Sequence, residues 1–392
     1  MIKTLTAYTL EVDNVPKAVS GILEQLDLER NLMKNSVGIL HCSTYFIESG
    51  VVEALCKALP FRIVGVTTVG SVVHDEVNEI IMALMVLTSD DVHFAVGLTE
   101  PITSPDESAL KKAYEEAATH LPGLPALAIS YFPVVTATVG AGGDFVIRTM
   151  SAVSGGVPVF GTMPIDNTHD FREARIICDG MAYADRFAFI LLQGNIKPRF
   201  YLGAVSEENI LQDRGTVTKS EGTFLHSIND VPILDYLKKT LKLPLDEKDP
   251  SSVHMIPLIL DFNDGTPPIV RAMNSFTDDH IAVCSAELPI GATLGVSRFS
   301  RDVVLETTNR LMQTILENES DADGLLIYSC AARYWALGLD SLVEMEAVRD
   351  SLIHSKIPYL LGYSCGELCP VPGMEGKLTN RLHNYTFIAC VF

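Results

Sequence analysis

The chain has 392 residues, 47% hydrophobic and 20% charged, which is globular material with room for two or three domains of ordinary size. Its 49 acidic and 29 basic residues leave a net charge of -20 with no basic cluster, which argues against nucleic acid or an anionic membrane surface as a partner. No apolar run approaches the roughly 18 residues that span a bilayer. The N-terminus has no apolar signal region and the eight cysteines form no dense framework, so the expected setting is the reducing cytoplasm.

Short β-branched runs alternate with amphipathic stretches along the whole chain, the texture of an α/β protein. The first run, "VGILHCST" (Val37–Thr44), leads into the helical "IESGVVEALCKAL". "FRIVGVTTVGSV" (Phe61–Val72) follows, a second strand that ends in glycine and is succeeded by small hydroxyl residues, and "IIMALMVL" (Ile80–Leu87) closes the unit. A looser copy runs through "PALAISYF" (Pro125–Phe132), "GVPVFGTMPIDN" (Gly156–Asn167) and "RFAFILLQG" (Arg186–Gly194). After Lys197–Pro198 turn residues become frequent, a helix is predicted at "VPILDYLKKTLKL", and "PIVRAMNSF" and "HIAVCSAEL" read as paired strands around a turn at Thr277–Asp279.

A third copy then begins. It comprises "GLLIYSCAAR" (Gly324–Arg333), a helix at "LDSLVEMEAVRDSL", "IPYLLGYSCGEL" (Ile357–Leu368) and the closing "NYTFIACVF" (Asn384–Phe392). Three copies of one phrase predict a repeated unit. The expected fold class is α/β, with repeated strand-helix-strand units forming two mixed-sheet domains, residues 1–197 and 198–392. Gly65, Gly161 and Gly362 are placed where a strand leaves its sheet, a position suited to close backbone approach. Ligands of α/β sheets collect at the carboxyl ends of strands, so the segments after these glycines are candidate cleft walls.

Few motifs carry chemistry of their own. Cys365 and Cys369 lack the second pair that structural zinc uses, and no metal site is expected. A thiol nucleophile at Cys330 or Cys365 would need a neighbouring base or positive charge. "VGAGGD" (Val139–Asp144) lacks the Lys-Ser/Thr of a P-loop and reads as a flexible connection with Arg148 nearby. Arg333, just past a buried strand, must be paired or bind an anion. Its partner is either Glu344, Glu346 or Glu367, or a ligand carboxylate held by the same bidentate fork.

At these residues the chain resembles the FIST family, the sensory domain of F-box and intracellular signal transduction proteins. "LLIYSCAARYWALG" is similar to the family's strand-Ser-Cys-x-x-Arg segment, "EMEAVRDSL" to its acidic helix, "PYLLGYSCGELCP" to its Gly-aromatic-x-x-Gly-Glu turn and "LHNYTFIACVF" to its Leu-His-Asn-x-Thr ending. The N-terminal half departs from the pattern at Ser71, where the family has glutamate, and at Thr162, where it has glycine.

The resemblance implies a non-enzymatic cytoplasmic sensor of a small molecule, an amino acid or small carboxylate, that signals to a separate partner such as a histidine kinase or cyclase. The expected ligand contacts are Arg333 for an anionic group and Glu367 for an amine, with Tyr363, Ser364, His383, Asn384, Cys330, Thr67 and Thr162 around them. No cofactor is expected on this reading. The alternatives are a haem-binding nitric-oxide sensor, since some family members resemble haem regulators, and a thiol-dependent enzyme.

Overall fold

The computed structural model describes residues 1–102, 107–134, 143–168, 171–211, 214–242, 245 and 248–392. Three units of one design carry most of the chain. Each contributes four strands to a mixed sheet in which the first pairs antiparallel with the fourth, the fourth antiparallel with the second, and the second parallel with the third. In the first unit these strands are Lys3–Thr9, Asn35–Cys42, Arg62–Thr67 and Met82–Ser89. In the second they are His93–Leu98, Leu127–Tyr131, Val159–Thr162 and Ala188–Gln193. In the third they are Arg199–Gly203, Leu325–Cys330, Tyr359–Ser364 and Phe387–Val391.

The helices of each unit sit in its two crossovers. Val15–Leu26, Glu107–Ala118 and Arg301–Asn318 follow the first strands, and Val51–Ala58, Gly143–Ser154 and Val343–Leu352 lead towards the third. Val15–Leu26 is started by Asn14, whose side chain accepts the Lys17 N–H at 3.1 Å. The helix expected after Thr44 is two pieces, Tyr45–Glu48 and Val51–Ala58, because Gly50 turns left-handed at φ 80° between them. A further helix, Ala331–Leu337, follows the Leu325–Cys330 strand, where the sequence reading placed none.

Burial explains the continuous apolar runs. One face of each unit's sheet enters a common core that includes Ile39, Met85, Tyr131, Ile190, Tyr328 and Ile388. The other face packs on that unit's own helices, as Leu40 and Leu84 do on Ile22 and Leu55, and Ile327 and Phe387 on Met312 and Met345. Strands covered on both sides cannot alternate apolar and polar residues.

Each sheet is completed by a hairpin from another unit. The hairpin of the first unit, Ser71–Val73 with Glu76–Asn78, pairs with Tyr359–Ser364 in the third sheet. That of the second, Ile176–Cys178 with Met181–Tyr183, pairs with Arg62–Thr67 in the first. That of the third, Glu367–Pro372 with Leu378–His383, pairs with Val159–Thr162 in the second. The exchange is cyclic.

The sequence reading ended the strands of "FRIVGVTTVGSV" and "IPYLLGYSCGEL" at their glycines, but each strand runs past its glycine, to Thr67 and to Ser364, and the chain then crosses to a strand of another sheet. Gly65, Gly161 and Gly362 accordingly lie inside strands and not at their exits. A Cβ on Gly65 would stand 1.9 Å from the Leu40 carbonyl oxygen, and one on Gly161 would stand 1.9 Å from that of Ser130.

The third unit carries an insertion between its first two strands. There an eight-stranded antiparallel sheet, with Gly215–Glu221 and Phe224–Ile228 among its strands, closes a separate core with the helix Ile233–Leu241. The predicted pair around Thr277–Asp279 is present as Met273–Phe276 against Ala282–Cys284. Fully buried Arg271 ties the insertion to the body by donating to Asp144 at 3.1 Å and to the Leu382 carbonyl. No helix among the described residues is long and apolar enough to cross a membrane.

Candidate functional site

The carboxyl ends of Leu325–Cys330 and Tyr359–Ser364 carry two buried carboxylates in contrasting surroundings. The first is Glu344, which takes the whole attention of Arg333. Arg333 Nε and Nη2 donate to Glu344 Oε1 at 2.9 and 2.7 Å. Nη2 also reaches Thr308 at 2.7 Å, the Val304 carbonyl at 2.9 Å and Thr307 at 3.0 Å. Glu344 Oε2 accepts from Ser329 at 2.8 Å and Tyr363 at 3.0 Å. Both charges are wholly buried, so the pair survives only because nearly every donor and acceptor is used. Burial and the carboxylate push the Tyr363 phenol well above its ordinary range.

The second carboxyl, Glu367, has no cation in contact. Its oxygens accept from Ser364 at 2.9 Å and Thr386 at 2.8 Å, and the Cys330 thiol adds a third bond. Burial outweighs these bonds and pushes its pKa up to about 8, so Glu367 is mostly protonated at neutral pH. Burial also raises both neighbouring thiols, Cys365 to about 12 and Cys330 well above the ordinary value. Neither is a thiolate at neutral pH, which removes the activation a cysteine nucleophile requires.

Beside Glu367 a small cleft of about 60 Å³ opens where the third unit meets the insertion. Cys330, Ala331 and Ala332 form its floor, and Cys365 and Asn384 one wall. Ala272, Asn274 and Ser285 of the insertion face them. Trp335, the one tryptophan of the chain, lines the cleft at 39% exposure and stacks with two rings. Phe171 lies 5.9 Å away at 16°, and His254 lies 5.8 Å away at 14°. Asn384 Oδ1 accepts from Ser285 and from the Ala272 N–H, at 2.5 and 3.2 Å, while its Nδ2 donates no hydrogen bond to the described residues.

The nine residues expected from the sequence are therefore divided. Cys330 and Asn384 line the cleft; Ser364 and Glu367 lie behind it. Thr162 is behind it too, donating to the Gly366 carbonyl at 3.0 Å. Arg333 and Tyr363 belong to the closed Glu344 cluster. His383 is turned away, its Nε2 3.0 Å from the Cys369 carbonyl, and burial lowers its pKa to about 3. Thr67 does not line the cleft and accepts from the Arg175 N–H at 2.9 Å, where the second unit's hairpin joins the first sheet.

Family models decide the kinship. The FIST N domain matches residues 36–231 and the FIST C domain matches residues 234–370. The chain belongs to the FIST family. FIST domains are sensory domains of signal transduction and not a catalytic family. No curated protein matches this chain. Among solved structures, a cyanuric acid hydrolase from A. caulinodans is similar at 10% identity and a TM-score of 0.28, over 50% of this chain and 71% of its own. T. maritima PurL, complexed with ATP, is similar at 9% identity and a TM-score of 0.20, over 100% of this chain and 71% of its own. Likenesses this distant carry nothing about fold or activity.

The segment Leu382 to Thr386, which follows the matched residues, has a physical reading. Asn384 fastens the insertion to the body and Thr386 holds Glu367. Between them Tyr385 turns left-handed at φ 57° and donates to the His254 carbonyl at 2.6 Å. Sequence reasoning missed Thr386, Trp335, His254, Phe171 and Ser285. The lone tryptophan, two residues after the arginine of Ser-Cys-x-x-Arg, was the available signal for Trp335. Thr386 was equally available, two residues after Asn384 in the same segment; His254, Phe171 and Ser285 come from distant segments that only the fold assembles.

A haem does not fit these residues. His254 faces a cleft of about 60 Å³, far below the roughly 300–1,000 Å³ of pockets that enclose drug-sized ligands. A larger open cleft of about 450 Å³ lies against helix Gly143–Ser154 and has no histidine among its described lining residues. Its charges are already paired, Arg148 with Glu107 and Glu287, Arg381 with Asp264, and Asp144 with Arg271. Most of the Gly-rich stretch, residues 139–142, lies outside the described residues.

Proposed function

We propose that this FIST protein senses a small organic molecule held in the cleft that Trp335 lines and passes its occupancy to a separate signalling protein. The observation that carries this reading is Asn384. It lines the cleft and is 2% exposed; its Oδ1 is taken by Ser285 and the Ala272 N–H, while its Nδ2 donates to none of the described residues. An amide donor held in a cleft with no protein acceptor is available to a ligand acceptor in exchange for water.

The cleft is also suited to reporting. Phe171 belongs to the second unit's chain segment, His254 to the insertion and Trp335 to the third unit. A ligand that moves the indole shifts the contact among all three. A histidine kinase or cyclase is the class of partner that the family implies. An amino acid or small carboxylate is the implied ligand class, and such an anion would reach Arg333 only by displacing Glu344.

A thermal-shift screen of free amino acids, small carboxylates and small neutral organics, read together with Trp335 fluorescence, tests the reading. A ligand at 100 times its Kd adds about 2.7 kcal/mol of stability. At least one compound should raise Tm and shift the indole emission at the same midpoint. Stabilisation with silent fluorescence would move the ligand elsewhere in the chain.

A further inference from the structure

The cleft differs from the surface around it in charge. Although the chain has a net charge of -20, no described residue lining this cleft carries a formal charge at neutral pH. Burial holds both titratable rings of the lining neutral, lowering the pKa of His254 and raising that of Tyr385. The nearest buried guanidinium, Arg333, is committed to Glu344. The polar groups on offer are the Asn384 amide donors, the Cys365 thiol, the Ser285 hydroxyl and the Asn274 amide, set against the methyl groups of Ala331 and Ala332.

From this lining, and resting on the sensory reading above, we infer that the ligand is an uncharged small molecule bearing a carbonyl oxygen, such as a simple amide, and not a carboxylate or zwitterionic amino acid. A charge taken into a pocket with no opposite charge loses its hydration without recompense. A neutral carbonyl loses little and can accept from the Asn384 amide, which has no protein acceptor among the described residues. Size agrees. A cavity of about 60 Å³, measured where one water needs roughly 10–15 Å³, takes a molecule of only a few heavy atoms. Glu367 behind Cys330 supports the choice, because its high pKa removes the nearest charge that an ammonium group would seek.

Matched probes of equal shape isolate charge. Acetamide and acetate, propionamide and propionate, and glycine and alanine would be titrated into the full chain while Trp335 emission is followed. The amides should give saturable changes, with the carboxylates and amino acids at least tenfold weaker. Asn384→Asp keeps an oxygen acceptor for Ser285 and the Ala272 N–H but removes the donors, and it should erase the preference. Ala332→Leu, which fills the cleft and touches no hydrogen bond, should abolish the response and guards against a folding defect in the first variant. Saturable binding of carboxylates or amino acids as tight as the amides overturns the inference and leaves the sensory reading standing. No saturable response to any probe overturns both.

Discussion

Glu367 is a carboxyl whose value to the fold depends on its proton. Its pKa rises from an ordinary 4.5 to about 8 on folding, so the native state binds the proton more tightly than the unfolded chain. The stability it contributes is complete below 4.5 and is lost as pH climbs through about 8. His41 and His383 act in the opposite sense. Burial lowers each from 6.5 to about 3, so their contribution is complete above 6.5 and lost as acid is added. Glu367→Gln should therefore flatten the fall in Tm on the alkaline side and leave the acid limb unchanged. Equal alkaline slopes in the two proteins would show that another group titrates there. Arg333 shows how far such residues are legible. A cation just past a buried strand must have a partner, and the sequence says so. It does not choose between Glu344 and a ligand, because both would fill the same fork, and only the placement of helix Val343–Leu352 resolves it.

At the scale of elements, the three units were legible because double-sided burial writes each central strand as an unbroken apolar run, as in "IIMALMVL". The hairpin exchange was not. A strand of three residues such as Ser71–Val73 has the same local pattern whichever sheet it joins, and its destination is set by non-local pairing. Helix Ala331–Leu337 was missed for a related reason, since seven residues give too few turns for a period to show. The glycines record the strand packing more faithfully than the apolar pattern does. Gly65→Ala would drive a methyl group into the Leu40 carbonyl at 1.9 Å, backbone against backbone, where no side-chain rotation relieves it. It should cost more than about 4 kcal/mol in urea unfolding. Gly21→Ala, in helix Val15–Leu26 with nothing within 4 Å, should instead add about 0.5–1 kcal/mol. Similar small effects at both sites would refute the close approach.

At the scale of the molecule, the cyclic exchange makes each sheet depend on a segment far away in sequence. The third sheet is closed by Ser71–Asn78 of the N-terminal half, and the second sheet by Glu367–His383 of the C-terminal half. The core containing Tyr131 and Tyr328, joined by a 2.9 Å bond between their hydroxyls, draws on all three sheets. Cutting the chain between Lys197 and Pro198 would leave unpaired strand edges in both pieces and expose that core. Residues 1–197 and 198–392 produced separately should each lack a sharp thermal transition, while the two mixed during refolding should recover a single one at a common Tm. The insertion is the exception to this dependence, because its eight strands and the helix Ile233–Leu241 close a core of their own. Hydrogen exchange on the intact chain separates the two cases. The strands of the three exchanged sheets should open together, in one cooperative event, with the insertion opening at lower cost. If the first unit exchanged independently of the third, the hairpins would be ornaments on self-sufficient units, and a signal at Trp335 would have no route from the insertion through the body of the protein.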